Sequence, residues 1–191
     1  IVVDQKPDTE AATTAEISLI LERFEIKVAA TVRYVRPAGP AFHCGLTVAF
    51  DQSESRMAYL QLLIPIAIGS TLARMEGGSG PQIEPEFERL VFTGESDSKL
   101  TVWCRRDVTS APENFEFQVE EYYVRGRAAD RSLSVFSQVD DDRPHRAKDT
   151  APLFQAGGVE MEIKQLFRWS ALNMQLNVPD RIRGFLRTFL H

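Results

Sequence analysis

The stretch of sequence that decides the fold runs from Ser98 to Ser134 and reads SKLTVWCRRDVTSAPENFEFQVEEYYVRGRAADRSLS. Apolar and polar residues alternate over 99–105 and again over 115–125. A period of two places successive side chains on opposite faces of a sheet, and the Thr, Ser, Pro and Asn residues between the two runs are typical of a turn. Because the apolar face of such strands needs a partner layer, the stretch predicts part of a two-sheet antiparallel sandwich.

Further strand patterns lie on both sides of this stretch. The clearest, over 24–35, places Phe24, Tyr34 and the even-numbered apolar residues between them on one face. The run 59–68 is apolar throughout, and Pro65 within it would cost a helix interior about 3 kcal/mol, which favours a strand. In all, the sequence predicts strands over 24–35, 43–50, 59–68, 87–93, 99–105, 115–125 and 133–136.

A short helix is predicted ahead of these strands. Thr13 and Glu16 have the spacing of a capping box, and the apolar residues of 17–24 follow near helical spacing. The residues before them are polar and include Pro7, which is typical of an arm or a loop.

The end of the opening stretch resembles the last strands of the capsid jelly roll in picorna-like viruses, namely dicistroviruses, iflaviruses and plant viruses with small coat proteins. In that family the last long strand is followed by a glycine, an acidic residue and a short apolar exit. The comparable places are taken here by Val124, Arg125, Gly126, Asp130, Leu133 and Val135. The resemblance implies an all-β fold, an eight-stranded antiparallel jelly-roll sandwich, whose first strand is missing or lies in the N-terminal arm.

The expected domain division is an N-terminal arm over 1–16, a jelly-roll β-sandwich over 17–138, and a linker with a partly helical C-terminal tail over 139–191. Pro179 can open a helix with an apolar face and an arginine face. Such a helix can dock on its own domain, on a neighbouring subunit, or on RNA or a membrane surface. We expect the tail to dock mainly on neighbouring subunits and to be unnecessary for the fold, because its large apolar side chains would otherwise stay exposed. The candidate subunit or RNA contacts are Trp169, Arg181, Arg183, Phe185, Arg187 and Phe189.

Composition sets the remaining limits. The chain has 191 residues, of which 43% are hydrophobic, and this suits one domain with a sizeable core. The net charge of −5 provides no global basic field for nucleic acid. No apolar run reaches about 18 residues, so no membrane span is expected. Cys44 and Cys104 lie in strand-like runs, and we expect two buried reduced thiols, with a disulfide left open.

Residues with catalytic or metal-binding spacing are scarce. His43, His145 and His191 are scattered, and the sequence contains no HExxH, CxxC, GxSxG or GxxxxGK[ST] motif. We therefore expect no catalytic residue, no metal and no cofactor, and the chain is not expected to be an enzyme.

These observations predict a structural coat protein subunit that self-assembles into an icosahedral shell around an RNA genome. Its partners would be other capsid subunits and, through the basic C-terminal helix, genomic RNA. It would be found in the virion and, during assembly, in the host cytoplasm.

Two alternatives remain open. Arg127 and Arg131 fit the RxxxR phosphate clasp of PilZ domains, which bind cyclic di-GMP, and arginine suits a bidentate grip on phosphate. Gly157 and Gly158 follow where that family has a DxSxxG turn, but the Asp and Ser of the turn are absent. Residues 28–63 resemble the end of a PilZ barrel, in the wrong order relative to Arg127. The second alternative is a jelly-roll carbohydrate-binding module.

Overall fold

The structure is a computed structural model that describes residues 2–3, 14–50, 52–75, 86–107, 109–138, 153–155 and 158–190. These residues are mostly β and form two antiparallel sheets and three helices. It divides into two compact units, unit 1 over 1–64 and unit 2 over 65–191. The elements are β1 (Val2–Val3), β2 (Thr14–Leu21), β3 (Phe24–Ala38), β4 (Ala41–Ala49), α1 (Ser53–Thr71), β5 (Ala73–Arg74), β6 (Phe87–Thr93), β7 (Lys99–Arg105), β8 (Pro112–Val119), β9 (Tyr122–Arg127), β10 (Leu133–Gln138), β11 (Leu153–Gln155), α2 (Glu160–Leu172) and α3 (Asp180–Arg187).

Unit 1 contains a four-stranded sheet in the order β1-β4-β3-β2. The strands predicted over 24–35 and 43–50 are confirmed as β3 and β4. The helix predicted over 17–24 is wrong, because β2 pairs with β3 from Thr14 to Leu21 and joins it through a tight hairpin. The residues of β2 alternate between exposed and half-buried positions. The period of two therefore determines that this segment is a strand, despite the capping-box spacing of Thr13 and Glu16.

The pairing of β3 with β4 contains a β-bulge between Val32 and Tyr34. One extra residue, Arg33, enters β3 there, and every later side chain of the strand changes face. Tyr34 therefore lies opposite Gly45, and Val35 takes the place opposite the buried Cys44. The prediction that Tyr34 shares a face with Phe24 and the residues between them is wrong for this reason.

The apolar run predicted as a strand over 59–68 is part of helix α1 instead. Pro65 lies inside the helix and is buried. Its ring removes one backbone hydrogen bond and crowds the carbonyl four residues earlier, at a cost of about 3 kcal/mol in a helix interior. Ile68 near the end of α1 and Leu72 directly after it are completely buried within the core of unit 2. Burying two such side chains contributes about 3–6 kcal/mol, which offsets the cost of the proline.

Unit 2 contains a seven-stranded antiparallel sheet in the order β11-β10-β9-β8-β7-β6-β5. The strands predicted over 87–93, 99–105 and 133–136 are confirmed as β6, β7 and β10. The single strand predicted over 115–125 is wrong, because a turn at Glu120, whose φ is 53°, divides it into β8 and β9. Each strand of this sheet pairs with its neighbours in the chain, whereas a jelly roll pairs strands that are distant in the chain.

The core of unit 2 lies between one face of this sheet and the helices. Alternate residues of β6 to β10 point into it, and among the largest are Phe92, Phe115 and Phe117. Phe167 of α2 stacks on Phe115 with ring centroids 5.0 Å apart, and Ile182 of α3 is fully buried in the same core. The expectation that the tail is unnecessary for the fold and docks mainly on neighbours is therefore corrected, since α2 and α3 complete the core of their own unit.

Gly126 of β9 allows this close packing. A Cβ atom on Gly126 would lie 2.3 Å from Cε1 of Phe115 and 2.9 Å from Cε1 of Phe189. Both distances are far below van der Waals contact, so only glycine permits the two rings to lie over this strand. Phe115 and Phe189 meet edge to face with centroids 5.1 Å apart, an arrangement that aromatic pairs favour.

Both cysteines are free and buried, as the sequence predicts, and they belong to different units. Cys44 lies on β4 and Cys104 on β7. Burial raises the pKa of the Cys104 thiol. The charge of Arg181 lowers this pKa by a smaller amount, and the charge of Glu88 raises it slightly. A raised pKa disfavours the reactive thiolate, so Cys104 is a packing residue.

The substitution Phe167→Ala tests whether the C-terminal helices belong to the core. Deleting a fully buried ring that stacks on Phe115 is expected to lower the free energy of unfolding by about 3–5 kcal/mol. Urea unfolding followed by tryptophan fluorescence measures this directly, because Trp103 and Trp169 both lie in unit 2. The control is Leu176→Ala, at a side chain that is 85% exposed, with an expected change within about 0.5 kcal/mol. A loss below about 1 kcal/mol for Phe167→Ala would contradict this account of the core.

Candidate functional site

The most distinctive surface of unit 2 is the side of its sheet that faces away from the helices, which we call the outer face. The strand register aligns its side chains in three rows across the sheet. The first row is Arg89, Trp103, Asn114 and Arg127; the second is Val91, Thr101, Glu116, Arg125 and Ser134; the third is Thr93, Lys99, Gln118, Tyr123 and Phe136. Directly opposite residues of neighbouring strands have Cβ atoms about 5 Å apart, so each row is a continuous strip.

Positive charge is concentrated on this face. Its five cations are Arg89, Lys99, Arg105, Arg125 and Arg127. Arg105 forms an ion pair with Glu113, and Nη2 of Arg125 lies 2.7 Å from Oε2 of Glu116. Within the described part of the chain, the other three cations have no ion pair. The outer face is therefore positive on a chain whose net charge is −5.

Four aromatic side chains share the outer face with these cations, and they are Phe87, Trp103, Tyr123 and Phe136. The guanidinium of Arg125 lies over the ring of Phe136, with 5.3 Å between Cζ and the ring centroid. The hydroxyl of Tyr123 donates a hydrogen bond of 2.8 Å to Oε1 of Gln138 and is thereby fixed in place. Rings held among cations can bind flat apolar groups that carry negative charge nearby.

The exposure of these side chains shows which of them solvent reaches. Arg89, Arg125 and Arg127 are exposed, and Trp103 and Tyr123 are half-buried. The small residues at the centre of the face, Val91 and Thr101, are buried. The accessible surface is therefore formed by the long cationic side chains and the half-buried rings.

The sequence-predicted aromatic contacts of the tail are placed mostly inside unit 2. Phe189 is buried and contacts Phe115, and Phe185 is half-buried with its ring centroid 5.2 Å from that of Phe189. Trp169 is half-buried on α2, where its carbonyl accepts a hydrogen bond of 2.8 Å from Nδ2 of Asn173. Phe189 is thus a core residue and does not form a free surface.

The three arginines predicted as contacts lie on α3 and have different surroundings. Arg183 forms an ion pair with Asp180, so its charge is partly neutralised. Arg181 is exposed and donates a hydrogen bond of 3.3 Å to the carbonyl of Ser110. Arg187 is exposed. The role of Arg181 and Arg187 in binding a subunit or RNA remains a prediction.

The RxxxR pair lies where β9 ends. Arg127 is the last residue of β9, and the backbone N–H of Arg131 donates a hydrogen bond of 3.0 Å to its carbonyl. Asp130 stands between them in the turn. A hydrogen bond from the backbone N–H of Ser132, with further help from the Ser132 hydroxyl and from Arg127, lowers the pKa of Asp130. The negative charge of Asp130 thus partly offsets that of Arg127 at this turn.

Comparisons with family models, with curated proteins and with solved structures found no match. Within the described residues, no cluster of three or more His, Cys, Asp or Glu side chains has the geometry to hold a metal ion. No helix in the described part of the chain is both long and apolar enough to span a bilayer.

Sequence reasoning missed the outer face as a site. The signal was present, because Trp103 and Arg125 occupy the positions out of phase with the apolar residues of their own strands. The order of the strands was needed to find it, since the five cations come from three separate strands and are brought onto one face only by the register.

Proposed function

We propose that this chain is a non-enzymatic structural protein that binds single-stranded nucleic acid on the outer face of unit 2. The observation that supports the proposal is the joint presence of five cations and four aromatic rings on one face of one sheet, in a protein of net charge −5. Arginine forks bind phosphate oxygens in pairs, and aromatic rings stack with bases.

The dimensions of the outer face suit an extended strand of nucleic acid. Trp103 and Tyr123 lie two strands and two rows apart. A strand spacing of ~4.8 Å and a rise of ~3.4 Å per residue place their Cα atoms about 17 Å from each other. Bases of a duplex are stacked on one another and are unavailable to side-chain rings, whereas unpaired bases can stack on them. The proposed ligand is therefore single-stranded.

A coat protein subunit is the second candidate, and exposed apolar side chains favour it. Ile20 of unit 1 and Met161 and Leu176 of unit 2 are 66%, 76% and 85% exposed. Exposed side chains of this kind can take part in subunit contacts. In this candidate the outer face would meet the enclosed RNA, and other subunits would be the protein partners. An eight-stranded jelly-roll sandwich is part of this second candidate. The described strand pairings follow chain order and do not support it, so the candidate rests on the exposed apolar residues alone.

Binding of a fluorescent single-stranded RNA, followed by anisotropy at several salt concentrations, tests the main proposal. Three cations without ion pairs predict that log K falls against log salt with a slope of about −2, since each neutralised phosphate of a single strand contributes about −0.7. Arg127→Gln is expected to make the slope less steep by about 0.7. Trp103→Ala is expected to cost about 1–3 kcal/mol of binding free energy with little change of slope.

Arg187→Gln on α3 is the matched control, because it removes the same charge from an exposed site on another element. We expect it to leave the affinity within about twofold, as a distant surface charge contributes little. If Arg187→Gln weakens binding and Arg127→Gln does not, the C-terminal helix binds RNA and the outer face does not. Equal binding of duplex and single strand would also contradict the proposal.

Electron microscopy of the protein mixed with single-stranded RNA tests the coat protein candidate. Closed particles of uniform size that are lost on Ile20→Lys would support it, because a buried unpaired charge at a subunit contact costs several kcal/mol. Small soluble complexes alone, at every protein concentration, would leave the chain as a nucleic-acid-binding protein without a shell.

A further inference from the structure

The β-bulge of unit 1 places two arginines and a histidine at one end of its sheet. If the register of Val32 with Leu46 continued without a bulge, Tyr34 would lie opposite Cys44 on the apolar face. With the bulge, Tyr34 lies opposite Gly45 on the polar face. Bulges are common beside functional sites, where they redirect a side chain. We propose that this bulge builds an anion-binding site for a phosphate group, formed by Arg33, Arg36 and His43 around the ring of Tyr34.

Tyr34 is the fixed centre of this group. Its ring lies on Gly45, where a Cβ atom would be only 2.1 Å from Cε1 of the ring. The guanidinium of Arg36 lies over the same ring, with Cζ 4.6 Å from the centroid. An arginine stacked on a ring is held in place while its N–H groups remain able to bind a phosphate in a bidentate manner.

Two further groups flank Tyr34, one on each side along the strands. His43 is the residue directly opposite Arg36 in the pairing of β3 and β4. Arg33, the bulge residue, donates from Nε a hydrogen bond of 2.8 Å to Oγ1 of Thr47, which fixes the base of its side chain. All three candidate ligands are exposed.

Among the residues that the structure describes in this sheet, the carboxylates lie away from the bulge. The carboxylates of Glu16 and Glu25 lie toward the hairpin of β2 and β3, and both contact Nζ of Lys27 at 3.7 Å and 3.9 Å. Among the side chains that the structure describes, neither Arg33 nor Arg36 has an ion pair. A bound anion would therefore balance the charges of Arg33 and Arg36 at the bulge end of the sheet. The planar guanidinium groups of two arginines suit a phosphate group.

The site lies in unit 1 and does not depend on the outer face of unit 2. A phosphate could reach it as a small molecule or as part of a nucleic-acid backbone, and both present the same oxygens. Titration of the full-length protein with inorganic phosphate, followed by the backbone amide signals of His43 and Gly45 in nuclear magnetic resonance spectra, tests the shared chemistry. We expect saturable shifts of both signals.

The variants are chosen to separate a specific site from general charge. Arg36→Gln is expected to weaken phosphate binding at least about tenfold, since hydrogen bonds to charged groups are strong. Gly45→Ala is expected to do the same by displacing Tyr34. The matched control is Arg23→Gln, because Arg23 also stacks on a ring, that of Phe24 at 5.5 Å, at the opposite end of β3. Its effect should stay within about twofold.

A second titration, with single-stranded RNA and the Arg127→Gln variant, identifies the source of the phosphate. Shifts at His43 and Gly45 that persist when the outer face is impaired assign the site to a nucleic-acid backbone. Shifts with inorganic phosphate alone assign it to a small phosphate ligand. The proposal is overturned if neither ligand moves these signals, or if Arg36→Gln and Arg23→Gln have equal effects.

Discussion

The packing of Phe115 is the interaction on which unit 2 depends. Its ring stacks on Phe167 of α2 with the ring centroids 5.0 Å apart. It also meets Phe185 of α3 at 6.0 Å and Phe189, just after α3, at 5.1 Å. Gly126 on the next strand leaves room for this contact. A single side chain of the sheet thus joins both C-terminal helices, and its burial determines which face of the sheet they cover.

The face of the sheet that the helices cover determines the properties of the opposite face. Because the pleat alternates, the residues between the buried ones must point outward, and here they include most of the cations of the sheet and four of its aromatic rings. The same sorting occurs in unit 1, where one inserted residue, Arg33, moves Tyr34 to the polar face and keeps Val35 opposite Cys44. In both units the apolar face is constrained by packing, and the chemistry lies on the opposite side.

The sequence predicted strands wherever one face is apolar and the other polar, and β3, β4, β6, β7 and β10 follow that pattern. It did not predict α1, because an apolar run without alternation has no visible period and Pro65 suggested a break. It also missed the turn at Glu120 and the bulge at Arg33, since a one-residue change of register leaves no mark in composition. The composition of the outer face depends on the order of the strands, and the alternation of apolar and polar residues within each strand does not specify that order.

The measurement that tests the central claim most directly is ultraviolet crosslinking of a short single-stranded RNA to the intact protein, with the attached peptides identified by mass spectrometry. Aromatic side chains in contact with bases crosslink readily, so the location of the adducts reports the binding face. We expect adducts on Trp103, Tyr123 and Phe136. Adducts confined to residues 181–187 of α3, or none on the strands of unit 2 under saturating RNA, would contradict the account.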